Sequence, residues 1–166
     1  MTELRIRALG AAQIAALVQL AQRIWRVHYA DMISTAQIEY MLTQRYRPDL
    51  IGAQLADPAQ RWLIAEEDGG LIGFAHVCRV DATSAKLDKL YVAPEQQRRG
   101  VGRALFAAAQ DWARADGCGM LTVRANKANR QALAAYARYG FSMSGEVVED
   151  IGGGFIMDDY QLEKPL

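Results

Sequence analysis

A short segment in the second half of the chain places glycine and arginine directly before an amphipathic stretch. Its residues are Gln97-Arg98-Arg99-Gly100-Val101-Gly102, followed by Arg103. Glycine lets the backbone turn tightly and present successive N–H groups, and a helix that begins here adds the positive end of its dipole. Such a loop can bind a pyrophosphate, although an isolated Gly-x-Gly is also typical of a solvated basic turn. The order is neither G-x-x-x-x-G-K-[ST] nor G-x-G-x-x-G, so two common nucleotide loops are disfavoured.

A second segment, from Asn129 to Phe141, has the pattern of a helix with a possible acid on it. Asn129 can cap the helix and Gly140 can end it. Helical spacing brings Tyr136 close to Tyr139. A tyrosine hydroxyl can donate a proton to a leaving group, but on an amphipathic helix a tyrosine is often simply a core residue.

Together the two segments resemble the GNAT superfamily of acyl-CoA N-acyltransferases. Gln97, Gly100 and Gly102 match its [QR]-x-x-G-x-[GA] loop, and residues 129–141 match its N-x-x-A-x-x-x-Y-x-x-x-G-F helix. The resemblance is specific between about Leu87 and Phe141 and elsewhere concerns element order alone. It implies an acetyltransferase that uses acetyl-CoA as cosubstrate, transfers the acetyl group by direct attack of an amine, and forms no covalent acyl-enzyme.

The resemblance also implies how the chain binds acetyl-CoA. The strand before the loop would splay from its neighbour, and its backbone at Leu90, Tyr91 and Val92 would hydrogen-bond the pantetheine arm like an added strand. The amides from Arg98 to Arg103 would hold the pyrophosphate. Asn129 lies where the family often contacts the cofactor, and a plain helix cap is the equally open alternative.

Two catalytic roles follow from the same resemblance. Tyr136 lies at the family position that protonates the departing thiolate, with Tyr139 as the rival. The attacking amine must be neutral, and an amine with a pKa near that of lysine, about 10.4, must first lose a proton. Asp88 is the candidate base, and strand alternation predicts that it shares a face with Lys86, Leu90 and Val92.

The role of Asp88 has alternative interpretations. Lys86 stands where some relatives have a glutamate, which weakens the case for direct base catalysis from this strand. Asp88 could instead anchor a cationic acceptor or be a solvated charge.

The resemblance further implies that the two N-terminal helices and the last hairpin frame the acceptor side. His28 and Tyr29, expected to be exposed near the end of the first helix, are the candidate substrate contacts. Acidic residues in the tail favour a small cationic amine such as a polyamine, although they could equally be surface carboxylates without a role: Glu146, Glu149, Asp150, Asp158 and Asp159. The alternatives are a protein or peptide acceptor and a non-catalytic acyl-CoA-binding regulatory module.

Several elements must position these residues. Periodicity and turn residues predict the order βααβββαβαββ, with Pro48 ending the second helix and Asp68-Gly69-Gly70 turning a hairpin. The predicted fold is α/β, a GNAT-like, mixed but mostly antiparallel central sheet with helices on both faces. We expect a single N-acetyltransferase domain over residues 1–166.

Composition narrows the partners. Nineteen basic residues balance nineteen acidic ones, which gives no general attraction to nucleic acid or an anionic membrane. Two cysteines and two histidines predict neither a disulfide framework nor a metal site. The sequence therefore predicts a cytoplasmic enzyme with a small-molecule amine as partner, and it leaves a homodimer open.

Overall fold

The computed structural model describes residues 2–166, whose elements follow the order βαααβββαβαββ. The strands are β1 (Arg5–Ala8), β2 (Gln60–Glu67), β3 (Gly70–Arg79), β4 (Ser84–Val92), β5 (Met120–Asn126), β6 (Ser142–Gly152) and β7 (Phe155–Pro165). The helices are α1 (Ile14–His28), α2 (Thr35–Arg45), α3 (Pro48–Ala56), α4 (Val101–Ala115) and α5 (Arg130–Arg138). Short 3₁₀ turns precede α1 and α4.

The first half of the chain contains one helix more than the sequence predicted. Pro48 does not end α2, which already stops at Arg45, but occupies the first turn of α3. Proline is well tolerated there because the first helical N–H groups have no partner within the helix. The same residue type can therefore end one helix or begin the next, and the prediction that Pro48 is only a terminator was wrong.

All seven strands form one sheet in the order β1-β2-β3-β4-β5-β7-β6. Only β4 and β5 run parallel, so the predicted mixed, mostly antiparallel sheet is confirmed. The predicted hairpin joins β2 to β3, where Asp68 and Gly69 have φ of 53° and 76°. Positive φ at both central residues is the geometry of a tight hairpin turn.

Helices cover both faces of the sheet, as predicted. On one face α1, α2 and α3 enclose a core that contains Trp25, Tyr46 and Phe74. On the other face α4 and α5 pack around Leu105 and Leu121. Burial of these two apolar layers is the main stabilising contribution, and it fixes the ends of the helices that border the centre of the sheet.

Candidate active site

The parallel pair of strands opens at the centre of the sheet. β4 and β5 pair only from Ser84 to Leu87 and from Met120 to Val123, after which β4 continues to Val92 and β5 to Asn126 without pairing to each other. The unpaired ends border a cavity of about 1320 Å³, here called the central cavity. This is the splayed strand that the sequence resemblance implied. Leu90, Tyr91 and Val92 all line the central cavity.

The glycine-containing loop lies at one end of the central cavity and has the geometry of an anion cradle. Arg98 and Gly100 have φ of 63° and 83°, and α4 begins directly after, at Val101. Gly100, which precedes the helix, has no side chain to cap its free N–H groups. A bound anion can therefore take these groups, with the helix dipole adding to the attraction.

Gln97 fixes this loop in place. Its amide nitrogen donates to the Val92 carbonyl oxygen at 3.2 Å, and its oxygen accepts from Gln131 at 2.8 Å. Gln97 thus joins the end of β4 to the start of α5. The absence of a side chain at Gly102 leaves space between the start of α4 and α5. A Cβ atom at this position would lie 3.3 Å from the Tyr139 hydroxyl.

The predicted basic side chains of the loop do not all face the same way. Arg98 and Arg103 line the central cavity, whereas Arg99 turns outward and pairs with Glu67 at 3.0 Å. Val101 is buried in the core beneath α4, so only its amide is available. Four further arginines of the cavity wall were not predicted from the sequence, although the last two lie within the matched residues 129–141: Arg45, Arg124, Arg130 and Arg138.

Asn129 caps α5 and also lines the central cavity. Its Oδ1 accepts from the Ala132 amide at 3.3 Å, and the same oxygen lies 3.1 Å from His28 Nε2. The cap is therefore present, and the side chain is 3% exposed at the cavity wall. Since a cap and a cofactor contact do not exclude each other, the second role stays a prediction.

His28 and Tyr29 are partly buried in the cavity wall rather than exposed, so that part of the prediction was wrong. The end of α1 packs against the centre of the sheet, where the Tyr29 hydroxyl lies 2.8 Å from that of Tyr91. Burial lowers the pKa of His28, and the hydrogen bond with Asn129 offsets this only in part. His28 is therefore mostly neutral at pH 7.

Tyr136 projects from α5 to the central cavity and is 7% exposed. Burial raises the pKa of Tyr136 above its usual value, so the hydroxyl keeps its proton. Tyr139 is held differently. Its ring stacks on Phe106 with centroids 4.7 Å apart, and Arg103 lies over it at 5.8 Å.

Asp88 lies at a β-bulge, so the prediction that it shares a face with Leu90 and Val92 was wrong, whereas the predicted shared face with Lys86 is confirmed. His76 pairs with Lys89 and Val77 with Leu87, so Asp88 has no partner in the register. The extra residue reverses the alternation: Leu90 packs with Leu87 on the α4 side of the sheet. Asp88 instead projects to the opposite side, toward its polar neighbours His76, Lys86 and Lys89.

The carboxylate of Asp88 is fully engaged by these neighbours. Lys89 donates at 2.6 Å, Lys86 lies at 3.3 Å and His76 at 3.3 Å. Burial acts to raise the pKa of Asp88, but the His76 hydrogen bond and the two lysine charges outweigh it and hold that pKa well below its usual range. Such a carboxylate is a weak proton acceptor.

The acidic tail is largely neutralised by basic residues that the fold brings to it. Lys127 pairs with Glu146 at 3.2 Å and with Asp158 at 2.9 Å. Arg124 pairs with Glu149 at 3.0 Å. Asp159 differs from its neighbours because it is buried at the wall of the central cavity and makes no such pair. Sequence alone gave no signal to separate it from the other carboxylates.

Within residues 2–166, no helix combines the length and apolar character needed to span a membrane. The same residues contain no group of three His, Cys, Asp or Glu side chains placed to hold a metal ion.

Fold and site together define an enzyme class, in which an acyl group passes from coenzyme A to an amine. Residues 14–141 match the Acetyltransferase (GNAT) family, and the chain belongs to this family. It is therefore an acetyl-CoA-dependent N-acetyltransferase.

Individual relatives agree with this class. Spermidine N(1)-acetyltransferase of Thermoplasma acidophilum is 26% identical over 160 residues, which cover 93% of this chain and 96% of that protein. Aminoglycoside N(6')-acetyltransferase type 1 of Stenotrophomonas maltophilia is 38% identical over 95 residues, which cover 52% of this chain and 62% of that protein. The crystal structure of PaiA N-acetyltransferase from T. acidophilum with coenzyme A has a TM-score of 0.85, 24% identity and 99% coverage of both chains.

Proposed function

We propose that this enzyme acetylates the primary amine of a small cationic molecule by direct attack on acetyl-CoA. One observation carries the proposal: a single central cavity runs from the anion cradle at Gly100 to the buried carboxylate of Asp159. The cradle suits the pyrophosphate of the donor, and the carboxylate suits an ammonium group. Donor and acceptor can therefore meet in one cavity.

In this proposal, different residues bind the donor, donate a proton and contact the acceptor. Amides between Arg98 and Arg103 hold the donor's pyrophosphate, and Arg98, Arg103, Arg130 and Arg138 add positive charge at the wall. The backbone from Leu90 to Val92 binds the pantetheine arm. Tyr136 keeps its proton until the thiolate departs and then donates it. His28 and Tyr29 shape the acceptor side.

Ion pairs within the cavity wall limit how many ammonium groups an acceptor can bury there. Around the acceptor side Glu149 is paired with Arg124, and Asp88 with Lys86 and Lys89. Asp159 alone among these carboxylates is free to meet an ammonium group. The cavity thus suits an acceptor that buries one ammonium and leaves any further charges toward solvent. The two curated relatives, whose names state spermidine and aminoglycosides, make these amines the first acceptors to test.

The test is acetyl-CoA turnover by the purified wild-type enzyme, followed by release of free thiol. The acceptors are spermidine, kanamycin, lysine and a peptide with a free N-terminus. We expect turnover with spermidine or kanamycin and little with the peptide. Preference for the peptide would favour the protein-modifying alternative. Tight acetyl-CoA binding without turnover of any acceptor would indicate a regulatory module instead.

Location and assembly belong to the same proposal. Free small amines and acetyl-CoA share the cytoplasm, which is where we place the enzyme. A homodimer stays a prediction, and light scattering of the wild-type protein measures it directly.

A further inference from the structure

Asp159 is a buried carboxylate with an unused oxygen. Its side chain lies on β7 and is 2% exposed, and within residues 2–166 its Oδ1 is the buried side-chain polar atom that has no hydrogen-bond partner. A desolvated polar group without a partner is costly, at about 1–3 kcal/mol and more when charged. Such groups are rare in folded proteins, and a bound ligand or a catalytic role is one explanation for them.

Asp159 lies in the wall of the same cavity as the proposed acid, Tyr136. It pairs in register with Asn126, the last residue of β5, and therefore lies beyond the point where β4 and β5 separate. Burial is the main cause of the raised pKa of Tyr29, and the charge of Asp159 adds to it. All three side chains line the central cavity.

The groups that face Asp159 come from several elements. Burial raises the pKa of Asp159, and the positive charges of Arg124 on β5 and Arg45 on α2 counter this. Two carboxylates, Asp158 and Glu149, act in the raising direction. The net pKa is higher than usual, which brings the carboxylate closer to the range of a general base.

We propose that Asp159 binds the ammonium group of the acceptor and takes its proton, acting as the general base of the acetyl transfer. This inference rests on the proposed function, because it assumes a cationic amine in the central cavity. It assigns to β7 the role that the sequence had predicted for Asp88 on β4. The engaged oxygens of Asp88 favour this exchange of roles.

The step balances as follows. The ammonium transfers one proton to a carboxylate oxygen of Asp159, which leaves a neutral amine with a free electron pair. That pair forms the C–N bond to the thioester carbonyl carbon, and the C–S bond breaks with its electrons on sulfur. The nitrogen loses its second proton, the thiolate gains one from Tyr136, and Tyr136 is reprotonated by the proton released from nitrogen. Asp159 finally returns its proton to solvent, so one proton is released per turnover.

A buried site favours the first transfer. The ammonium and the carboxylate are both charged before it and both neutral after it, and removal of water penalises charged forms. Burial therefore brings the pKa values of the two groups toward each other. The proton can then move at pH 7, although in water the amine would hold it strongly.

The decisive comparison is Asp159→Asn against Asp158→Asn. Both variants remove one carboxylate charge from β7, but Asp158 pairs with Lys127 at 2.9 Å and is absent from the cavity wall. The probe is spermidine at saturating acetyl-CoA, with kcat and KM measured from pH 6 to 10. Thermal unfolding first establishes that each variant is folded.

We expect Asp159→Asn to lower kcat at pH 7 roughly 10²-fold or more, the usual contribution of a general base, while Asp158→Asn stays near wild type. The rate of Asp159→Asn should rise with pH throughout the range, because only free amine from solution can then react. Wild type should instead level off once Asp159 is ionised. Equal kcat values and pH profiles for the two variants would refute the inference while wild-type turnover upheld the proposed function.

Binding gives a second readout that does not depend on turnover. Calorimetric titration of n-butylamine, which carries one ammonium, into the CoA-saturated enzyme should give a signal that Asp159→Asn loses and Asp158→Asn keeps. If wild type binds n-butylamine through Asp159 but acetylates no amine, the proposed function and the base role both fail and only the ammonium site stands. If wild type acetylates spermidine but both variants bind n-butylamine equally, the inference alone fails.

Discussion

At the residue scale, Tyr136 has the surroundings of a group that must remain protonated until it is used. It is almost fully buried at the cavity wall, and burial raises its pKa. The neighbouring Tyr139 is committed to packing against Phe106, with ring centroids 4.7 Å apart. Both tyrosines line the central cavity, so Tyr139 stays the rival of Tyr136 for the acid role.

Replacing Tyr136 with phenylalanine should lower kcat roughly 10²-fold and change acetyl-CoA affinity little, because the hydroxyl acts only as the thiolate departs. Pre-steady-state turnover measures the first quantity and calorimetry the second. Tyr139→Phe is the matched control and should retain most of the rate. Full turnover of Tyr136→Phe when chemistry is rate-limiting would mean that water or another group supplies the proton.

Asp88 neutralises the charge of a buried lysine, Lys89. Lys89 is 5% exposed, and its ammonium lies 5.4 Å from the Tyr46 ring and 5.2 Å from the Trp62 ring. Aromatic faces help to hold a buried cation, but Asp88 is the group that neutralises it. Removing one member of a buried ion pair leaves the other charge unpaired, which is strongly destabilising.

Asp88→Asn should therefore lower the free energy of unfolding by about 3–5 kcal/mol, as measured by urea denaturation at pH 7. The double variant Asp88→Asn/Lys89→Met should recover much of this loss, because it no longer buries a lone charge. If Asp88→Asn is as stable as wild type but loses the ascending limb of the rate profile, Asp88 is the base after all.

At the element scale, the junction of loop and helix at Gly100–Gly102 has two separate requirements for glycine. A Cβ atom at Gly100 would meet no neighbour within 4 Å. The residue nevertheless has φ of 83°, a conformation that other residues adopt at a cost. Gly102 has an ordinary helical conformation but is close to Tyr139, at 3.3 Å from a would-be Cβ atom. Glycine is therefore needed at position 100 for the backbone conformation of the turn, and at position 102 for the space beside the cradle.

Gly102→Val should reduce acetyl-CoA affinity at least tenfold by calorimetry while far-UV circular dichroism stays unchanged, since the added methyl groups crowd the cradle wall. Gly119→Val is the control, because its Cβ atom would meet nothing within 4 Å. Unchanged affinity in Gly102→Val would place the pyrophosphate elsewhere.

At the scale of the whole molecule, Asp159 is expected to link function to stability. Its pKa is raised in the folded protein, so over a range above the unfolded pKa the native state holds more protons than the unfolded state. Stability must then fall as pH rises through that window, because the buried carboxylate becomes charged. A site poised for proton transfer thus lowers the stability of the fold that contains it.

Asp159→Asn should be more stable than wild type at pH 7, and the difference should shrink as pH falls toward about 4. Urea denaturation at several pH values measures this trend. Asp158→Asn should gain no stability, because it loses an ion pair with Lys127. A destabilised Asp159→Asn would mean that the carboxylate has a structural partner in solution.

Local patterns in the sequence were sufficient for every strand and for every helix except α3, and for the turn that precedes α4. The hairpin at Asp68-Gly69, the start of α4 after Gly100 and the cap at Asn129 all depend on conformational preferences of adjacent residues. Such preferences act over a few positions and are readable without tertiary contacts. α3 was not predicted, because proline is compatible with both the end and the beginning of a helix.

The acceptor side was decided by tertiary structure. A single β-bulge separated Asp88 from the face of Leu90 and Val92 and brought Lys89 beside it, which no alternation pattern could indicate. Among five acidic residues of similar local context, only Asp159 is buried without a salt bridge at the cavity wall. The sequence by itself determined the class of enzyme and its donor loop, because both rest on contiguous motifs. The charge state of each carboxylate depends on burial and on residues distant in the chain, and only the folded molecule determines those.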